Sequence, residues 1–419
     1  MKQKNQYLFP FILITILFFL WGFAHNLNPI LIPHLKKACQ LSDLESALID
    51  SAFFVGYFVM ALPAGFFMKK YGYKYGIIFG LLLFAVGAFL FVPAANTRAF
   101  AVFLFALFVI ASGLTFLETA ANPYVTVLGD SHSATQRLNF SQSFNGLAAS
   151  LAPLMGGIFI LSGKTLTEAE KSSFSDVQLD QYLLEEAASV KIPYIIIGIV
   201  VLLVAIFIWR TNLPEIDEAE SSADTTEKES ILKNKNLVLG VLAQFFYVGG
   251  QVSITSFFIR FLGKTAGIEE KSAAIYLSVA LLAFMVGRFV GTFLMRFVAP
   301  YKLLIIYSAS NIILLFLAVT FGGHFSIYAL IGVEFFMSIM FPTIFSLSIT
   351  GLGSKTKLGS SLLIMSIVGG AVFPVIMGLI SDKYNIQIAY IVPLLCFFVV
   401  LYFGMKTTSR ESMVTAVKH

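Results

Sequence analysis

Charged residues and cysteine are both scarce in this sequence. Of its 419 residues only 12% are Asp, Glu, Lys or Arg, and the 2 cysteines are Cys39 and Cys396. A soluble domain carries about a quarter charged residues, so this composition excludes a water-soluble globular fold. Both cysteines lie in or beside apolar runs, which gives no basis for a disulfide framework or a thiolate metal site.

Motifs of enzymes and of molecular motors are missing as well. There is no glycine-rich phosphate loop followed by Lys and Ser or Thr, so the chain has no motor for ATP-driven transport. No nucleophile and base stand in a recognisable arrangement, and we therefore expect no enzyme and no cofactor. The first apolar run lacks a small-residue cleavage pattern before Asn26 and Pro29, which argues against a removable signal peptide.

Apolar residues are abundant instead. The chain is 58% hydrophobic and 15% aromatic, in repeated stretches separated by short polar connections. About 20 apolar helical residues cross about 30 Å of hydrocarbon, and only helices or closed barrels satisfy the backbone there. The pattern predicts an all-α membrane protein with twelve transmembrane helices in two six-helix bundles, for which the lipid bilayer is the main partner.

The basic residues behind the net charge of +5 are distributed unevenly between the two sides of the predicted spans. Most lysines and arginines fall on one side of the predicted spans when both termini are placed in the cytoplasm, as the positive-inside rule requires. We therefore predict cytoplasmic termini and no nucleic-acid binding. Nothing in the sequence indicates an obligate protein partner.

Two polar segments interrupt the apolar pattern. Pro214 to Lys235 is rich in acidic, Ser and Thr residues and predicts a solvated linker, which gives a bundle at 1–212, a linker at 213–235 and a second bundle at 236–419. Gly163 to Lys191 predicts an external insertion with room for a short surface helix. Pro and Gly residues followed by a basic residue recur across the linker at a nearly constant offset, which indicates two related halves with a substrate site at their interface.

Glu118 is the most informative ionisable residue because it lies well inside the fourth predicted span. A carboxylate there is costly unless it is protonated, paired or facing a wet cavity, and each of these states suits proton coupling. Asn122 is one turn further on the same face, before Pro123. The alternative is a purely structural glutamate hydrogen-bonded between helices.

Amides and a phenol on two further helices are candidate sugar ligands. Gln142 and Asn145 share a face of the fifth helix, and Tyr247 and Gln251 share a face of the seventh with Gln244. Neutral donors and acceptors match paired sugar hydroxyls, and aromatic faces pack on the C–H surface of a sugar. Hydrogen bonding between helices is the alternative function of these residues.

The first helix also carries polar residues near its outer end. Asn26 and Asn28, next to Pro29, predict a broken segment whose backbone lines a cavity, and we include both among the substrate-binding candidates. His25 is interpreted as a packed residue.

Two ionisable residues lie within spans of the second half. Glu334 and Arg288 either pair with each other or line the pathway, and we interpret both as structural.

The run Glu118-Thr119-Ala120-Ala121-Asn122-Pro123-Tyr124 through Gly129 resembles the fourth-helix signature of the fucose/galactose/glucose:proton symporters, a branch of the major facilitator superfamily that includes bacterial L-fucose permeases. Further matches extend over most of the chain, among them Phe19-Leu20-Trp21-Gly22, Ser143-Phe144-Asn145, Tyr247-Val248-Gly249-Gly250-Gln251, Gly287-Arg288-Phe289 and Phe341-Pro342-Thr343. The resemblance implies the major facilitator superfamily fold and proton-driven sugar uptake by alternating access. It assigns Glu118 to proton coupling, and Gln142 and Asn145 to the family's fifth-helix amides.

One position departs from the family pattern. Fucose-transporting members have an aspartate after the Asn-Leu-Asn run of the first helix, whereas this sequence has Pro29. Asp50, at a similar depth on the second helix, is the candidate replacement, and its alternative is a polar start to that helix.

The function expected from the resemblance is import of a monosaccharide, first of all L-fucose, with protons across a bacterial cytoplasmic membrane. A sodium-coupled carrier, or one for glucose, galactose or N-acetylglucosamine, is the nearest alternative. A drug or metabolite exporter and a non-transporting sugar sensor are more distant. The sequence pattern does not distinguish between these sugars, because sugar specificity depends on hydrogen-bond geometry.

Overall fold

The computed structural model describes residues 7–41, 43–160, 174–211, 213, 231–268, 270–321 and 323–416. All regular structure within these residues is helical. The first half contains α1 (Leu8–His25), α2 (Asn28–Ala38), α3 (Asp43–Thr97), α4 (Phe100–Val127), α5 (Ala134–Phe159), α6 (Asp176–Ala188) and α7 (Lys191–Arg210). The second half contains α8 (Lys235–Ala266), α9 (Glu270–Leu294), α10 (Pro300–Phe321), α11 (Gly323–Met337), α12 (Met340–Ile349), α13 (Thr356–Met365), α14 (Gly369–Lys383), α15 (Ile386–Ala389) and α16 (Ile391–Ala416).

Among the described residues, ten helical segments are long and apolar enough to cross a membrane. Their outward faces stay apolar: in Ser272–Leu294 only 22% of the most apolar stretch is buried, although its mean hydropathy is 2.0. Such a surface is stable against lipid but not against water. The predicted all-α membrane protein is therefore confirmed at this level.

The chain forms two compact units. One comprises 1–15, 121–146 and 216–419, and the other comprises 16–120 and 147–215. In the second of these units α3 packs along α7, where the rings of Phe91 and Tyr194 stack with centroids 3.6 Å apart. In the first unit α8, α10 and α16 surround a core that contains Tyr247, Phe258 and Phe397.

The turn that follows the fourth-helix motif is built by Arg137. Its Nη2 donates to the carbonyl of Thr126 at 2.8 Å, and its Nη1 donates to the carbonyl of Asp130 at 2.6 Å. These are carbonyls at the end of α4 and just beyond it, which a basic side chain satisfies well. Gly129 in this turn, which follows Pro123, has a φ of 102°, and Gly351, which follows Pro342 in the second half, has a φ of 78°.

The short helix predicted in the insertion between Gly163 and Lys191 is present as α6. Ser175 and Gln178 form a capping box at its start. Glu186 of this helix lies 3.0 Å from Nζ of Lys37 and 3.5 Å from Nδ1 of His34, both on α2. The Lys37–Glu186 ion pair and the contact between Glu186 and His34 attach the insertion to α2.

Several predicted features lie outside the described residues. They are the linker residues 214–230, positions 163–173 of the insertion and the side chains of Asp50 and Pro29.

Candidate functional site

Glu118 is buried within α4, with 9% of its surface exposed. The Tyr57 hydroxyl on α3 donates to Glu118 Oε1 at 2.6 Å. The two helices approach closely because Gly56 lacks a side chain: a Cβ there would lie 2.7 Å from Ala111 Cβ. One neutral donor offsets only part of the cost of burying an ionised carboxylate. The arrangement therefore holds a carboxyl that gains from carrying a proton.

The amides of α4 and α5 form a second group. Gln142 Nε2 donates to Asn122 Oδ1 at 3.1 Å, and both side chains are buried. Nδ2 of Asn122 is buried and has no described partner. Asn145 is half-buried, one turn beyond Gln142. An unpartnered amide donor beside a half-buried amide offers hydrogen bonds to a hydroxyl-rich ligand.

Arg288 on α9 connects three helices of its unit. Its Nη1 donates to the Gln142 carbonyl at 2.7 Å, and its Nε donates to the Ser338 carbonyl at 2.9 Å. The guanidinium carbon lies 4.7 Å from the centre of the Phe284 ring. The pairing of Arg288 with Glu334 that the sequence suggested as one alternative is not formed.

Ser338 belongs to a break between α11 and α12, so the span Gly323–Ile349 is a discontinuous helix. The Tyr247 hydroxyl donates to the Met337 carbonyl at this break, at 2.9 Å. Tyr247 is completely buried, and a direct contact with a substrate would require a rearrangement. One turn further along α8, Gln251 is half-buried.

Glu334 is on α11, one turn before the break, and is 1% exposed. Its Oε1 lies 3.1 Å from Oγ1 of Thr255 on α8. The same oxygen of Thr255 lies 3.1 Å from the Gln251 carbonyl.

The polar end of the first helix is also broken, between α1 and α2. Asn26 Nδ2 donates to the Gly22 carbonyl at 2.7 Å, while Oδ1 of Asn28 is buried without a described partner. His25 is exposed and packs edge-on against Phe53, at 5.6 Å between centroids. The predicted break of this helix is confirmed.

Tyr57 and Thr255 were not identified from the sequence. Each carries one hydroxyl in a mostly apolar helix. Tyr57 is 61 residues from Glu118 in the sequence, and Thr255 is 79 residues from Glu334. No local pattern signals such a pairing. Among the described residues, no group of three or more His, Cys, Asp or Glu is placed to hold a metal ion.

Apolar spans, broken helices and buried carboxyls define a polytopic membrane transporter. The chain belongs to the Major Facilitator Superfamily, whose family model matches residues 11–362. It is 42% identical over 410 residues to the L-fucose-proton symporter of Escherichia coli (strain K12), covering 96% of this chain and 94% of that protein. It is 41% identical over 406 residues to the glucose/galactose transporter of Brucella abortus biovar 1 (strain 9-941), covering 96% and 95%. A crystal structure of the transporter FucP in the outward conformation superposes with a TM-score of 0.88 at 42% identity, covering 96% of this chain and 99% of that one. The predicted family is confirmed.

Proposed function

We propose that this protein imports a monosaccharide together with protons, by alternating access, across the cytoplasmic membrane of a bacterium. The observation that carries the proposal is the buried Glu118, hydrogen-bonded to Tyr57 and to no described cation. Such a carboxyl gains and loses a proton as its surroundings change between dry and wet. The relatives named as a proton symporter and as sugar transporters support the same assignment.

The proposal assigns roles to individual residues. Glu118 binds the coupling proton, and Asp50 is the candidate for the carboxyl that Pro29 does not supply. Substrate contacts are assigned to Asn26, Asn28, Asn122, Gln142, Asn145, Tyr247 and Gln251. Amides and a phenol recognise sugar hydroxyls without fixing a charge in the membrane.

The topology belongs to the same proposal. The 46-residue segment Ala52–Thr97 contains Gly72, whose φ of 85° and ψ of 172° are not helical, and it divides there into two spans. With that division, and with Ala134–Phe159 as a further span, we count twelve spans among the described residues. Two bundles, 1–212 and 236–419, follow from the polar linker at 213–235, and cytoplasmic termini follow from the charge distribution.

L-fucose is the first substrate we propose, and glucose or galactose is the second, because relatives with both names are about equally similar to this chain. Labelled L-fucose, D-glucose, D-galactose and N-acetylglucosamine are offered to proteoliposomes under an inward proton gradient or an inward sodium gradient. We expect one sugar to accumulate under the proton gradient and to leak out after a protonophore is added.

Glu118→Gln supplies the test of mechanism. The variant is expected to lose accumulation but to keep exchange of labelled for unlabelled sugar, since exchange needs no net proton movement. Glu185→Gln, on the exposed face of α6, is the matched control. Accumulation under sodium alone, or full accumulation by Glu118→Gln, would contradict proton coupling at this residue.

A further inference from the structure

A second buried carboxyl lies in the other half of the chain, near the middle of the 27-residue apolar segment Gly323–Ile349. Glu334 is 1% exposed. The ion pairs within the described residues are His34–Glu186, Lys37–Glu186 and Arg98–Asp180, so no described cation lies within 4.0 Å of Glu334. An ionised carboxylate in this position would be buried at high cost.

The polar groups around Glu334 are already engaged elsewhere. Arg288 donates to two backbone carbonyls, the Tyr247 hydroxyl donates to the Met337 carbonyl, and the Tyr390 hydroxyl lies 3.3 Å from the Ile254 carbonyl. Arg260 is exposed and sits over the Phe257 ring, 4.2 Å from its centre. These groups lie on α8, on α9 and at Tyr390, between α15 and α16, and their described contacts are not with the Glu334 carboxyl. α10 also packs along α11, and its Tyr307 ring lies 5.2 Å from the Phe336 ring.

Thr255 is the one described hydrogen-bond partner of Glu334, and its single proton constrains the carboxyl. Its Oγ1 lies 3.1 Å from both Glu334 Oε1 and the Gln251 carbonyl oxygen. A carbonyl only accepts, and a hydroxyl donates once. If Thr255 donates to Gln251, Glu334 must be the protonated donor to Thr255. If Glu334 is ionised, the hydroxyl turns to it, and the Gln251 carbonyl keeps only its backbone partner within the helix.

Thr255 also provides the route for a proton. Glu334 is buried, whereas Thr255 and Gln251 are half-buried. The hydroxyl can take a proton from water at its open side and pass one to the carboxyl, because it is donor and acceptor at once. Each transfer moves one proton between water and the carboxylate and needs no other reactant.

We propose that Glu334 is a second proton-binding residue of this transporter and that Thr255 relays the proton between Glu334 and water. The inference rests on the proposed proton-coupled transport. Release of the proton turns the Thr255 hydroxyl from the Gln251 backbone carbonyl to the carboxylate of Glu334. Protonation of Glu334 and the orientation of a hydroxyl one turn from Gln251, a candidate sugar ligand, are thereby linked on one face of α8.

The test compares Glu334→Gln and Thr255→Val with matched controls in proteoliposomes. Glu185→Gln is the control for the carboxyl. Thr265→Val is the control for the hydroxyl, because Thr265 on the same helix donates to the Phe261 carbonyl, at 2.7 Å, and contacts no carboxyl among the described residues. Two quantities are measured: sugar uptake by net flux and by exchange, and the infrared carboxyl band that changes between acid and alkaline buffer.

We expect Glu334→Gln to reduce proton-driven accumulation at least tenfold, to keep exchange, and to remove one titrating carboxyl component from the infrared difference spectrum. Normal accumulation by Glu334→Gln, or an unchanged carboxyl spectrum, overturns the inference. If Glu334→Gln does not fold, Thr255→Val decides: the carboxyl component must stay but titrate at a different pH than in Thr265→Val, and an unchanged titration overturns the inference.

Failure of the parent proposal has a different result. If the wild-type protein accumulates no sugar under a proton gradient, proton-coupled uptake is wrong, whereas the infrared titration of Glu334 is still measured directly. If the wild type accumulates sugar, but Glu334→Gln and Thr255→Val behave as their control variants do, the proton-binding role of Glu334 is wrong and proton-coupled uptake stands.

Discussion

Gly56 controls the distance between the helices that carry Tyr57 and Glu118, and Gly56→Ala is therefore the most direct perturbation of the proposed proton site. A methyl group at Gly56 would lie 2.7 Å from Ala111 Cβ. Carbon atoms in contact are about 3.5–4.0 Å apart, so α3 and α4 must separate locally by about 1 Å. Tyr57 is the next residue, and its 2.6 Å hydrogen bond to Glu118 would lengthen to the limit of a hydrogen bond.

The magnitude follows from two contributions. Overpacking of this kind costs about 1–3 kcal/mol in the free energy of unfolding. The hydrogen bond to Glu118 contributes about 1.5–3 kcal/mol when the carboxyl is ionised and about 1 kcal/mol when it is neutral. Its loss therefore makes the ionised state harder to reach, and proton-driven sugar accumulation should fall more than sugar exchange does.

The double variant Gly56→Ala/Ala111→Gly is the rescue. In this variant the contact again joins one glycine and one alanine, so the overlap of two methyl groups is removed. The changes in helix propensity at the two positions, about 1 kcal/mol each and of opposite sign, nearly cancel. Thermal unfolding in detergent and proton-driven uptake are measured for the wild type, both single variants and the double variant. Wild-type stability and activity in Gly56→Ala, or a double variant no better than Gly56→Ala, would refute the close-approach explanation.

Three further outcomes follow from the structure. Asn145→Ala should raise the half-saturating sugar concentration with no change in melting temperature, because Asn145 is half-buried and makes no described hydrogen bond; a lowered melting temperature with unchanged affinity would contradict this. Arg288→Lys should lower the melting temperature, since one ammonium cannot reach both carbonyls, and Arg210→Lys on the exposed end of α7 is the control. Burial lowers the pKa of His34 from its ordinary value near 6.5, Lys37 lowers it further, and Glu186 raises it in part. Below that ordinary value the unfolded chain takes up a proton that the folded chain resists, so stability should be lost as the pH falls from about 7.5 to about 5. Glu186→Gln removes the group that raises the pKa and should make this loss larger in melting curves, whereas an equal or smaller loss would refute the assignment.

The spans and the isolated carboxyls could be predicted from the sequence, because the cost of exposing backbone and charge to lipid acts on each segment by itself. Glu118 is an acidic residue inside an apolar run, and its burial follows from that alone. The break after His25 follows from the Asn and Pro residues there. The helix α6 in the polar insertion is also a local feature, with its own capping residues.

Partners across helices could not be predicted in this way. Tyr57 meets Glu118, and Arg288 meets the Gln142 carbonyl, only once the rotation and depth of each helix are fixed. Those are set by close approaches such as the one at Gly56, which depend on both helices at once. Arg288 shows the consequence: charge alone suggested a partner in Glu334, but two backbone carbonyls nearby accept its hydrogen bonds.

The break between α11 and α12 bears on which cation drives transport. Discontinuous helices in transporters present free carbonyls that can coordinate a coupling cation such as sodium. Here the carbonyls of Met337 and Ser338 already accept hydrogen bonds from Tyr247 and Arg288, and Gly287 lets α9 approach so closely that a Cβ there would lie 2.8 Å from Ser338 Oγ. A sodium ion at this break would share the Ser338 carbonyl with a positively charged guanidinium and would still need a coordination shell. A proton needs only one carboxyl and one hydroxyl, which Glu334 and Thr255 provide, and the arrangement therefore favours proton coupling.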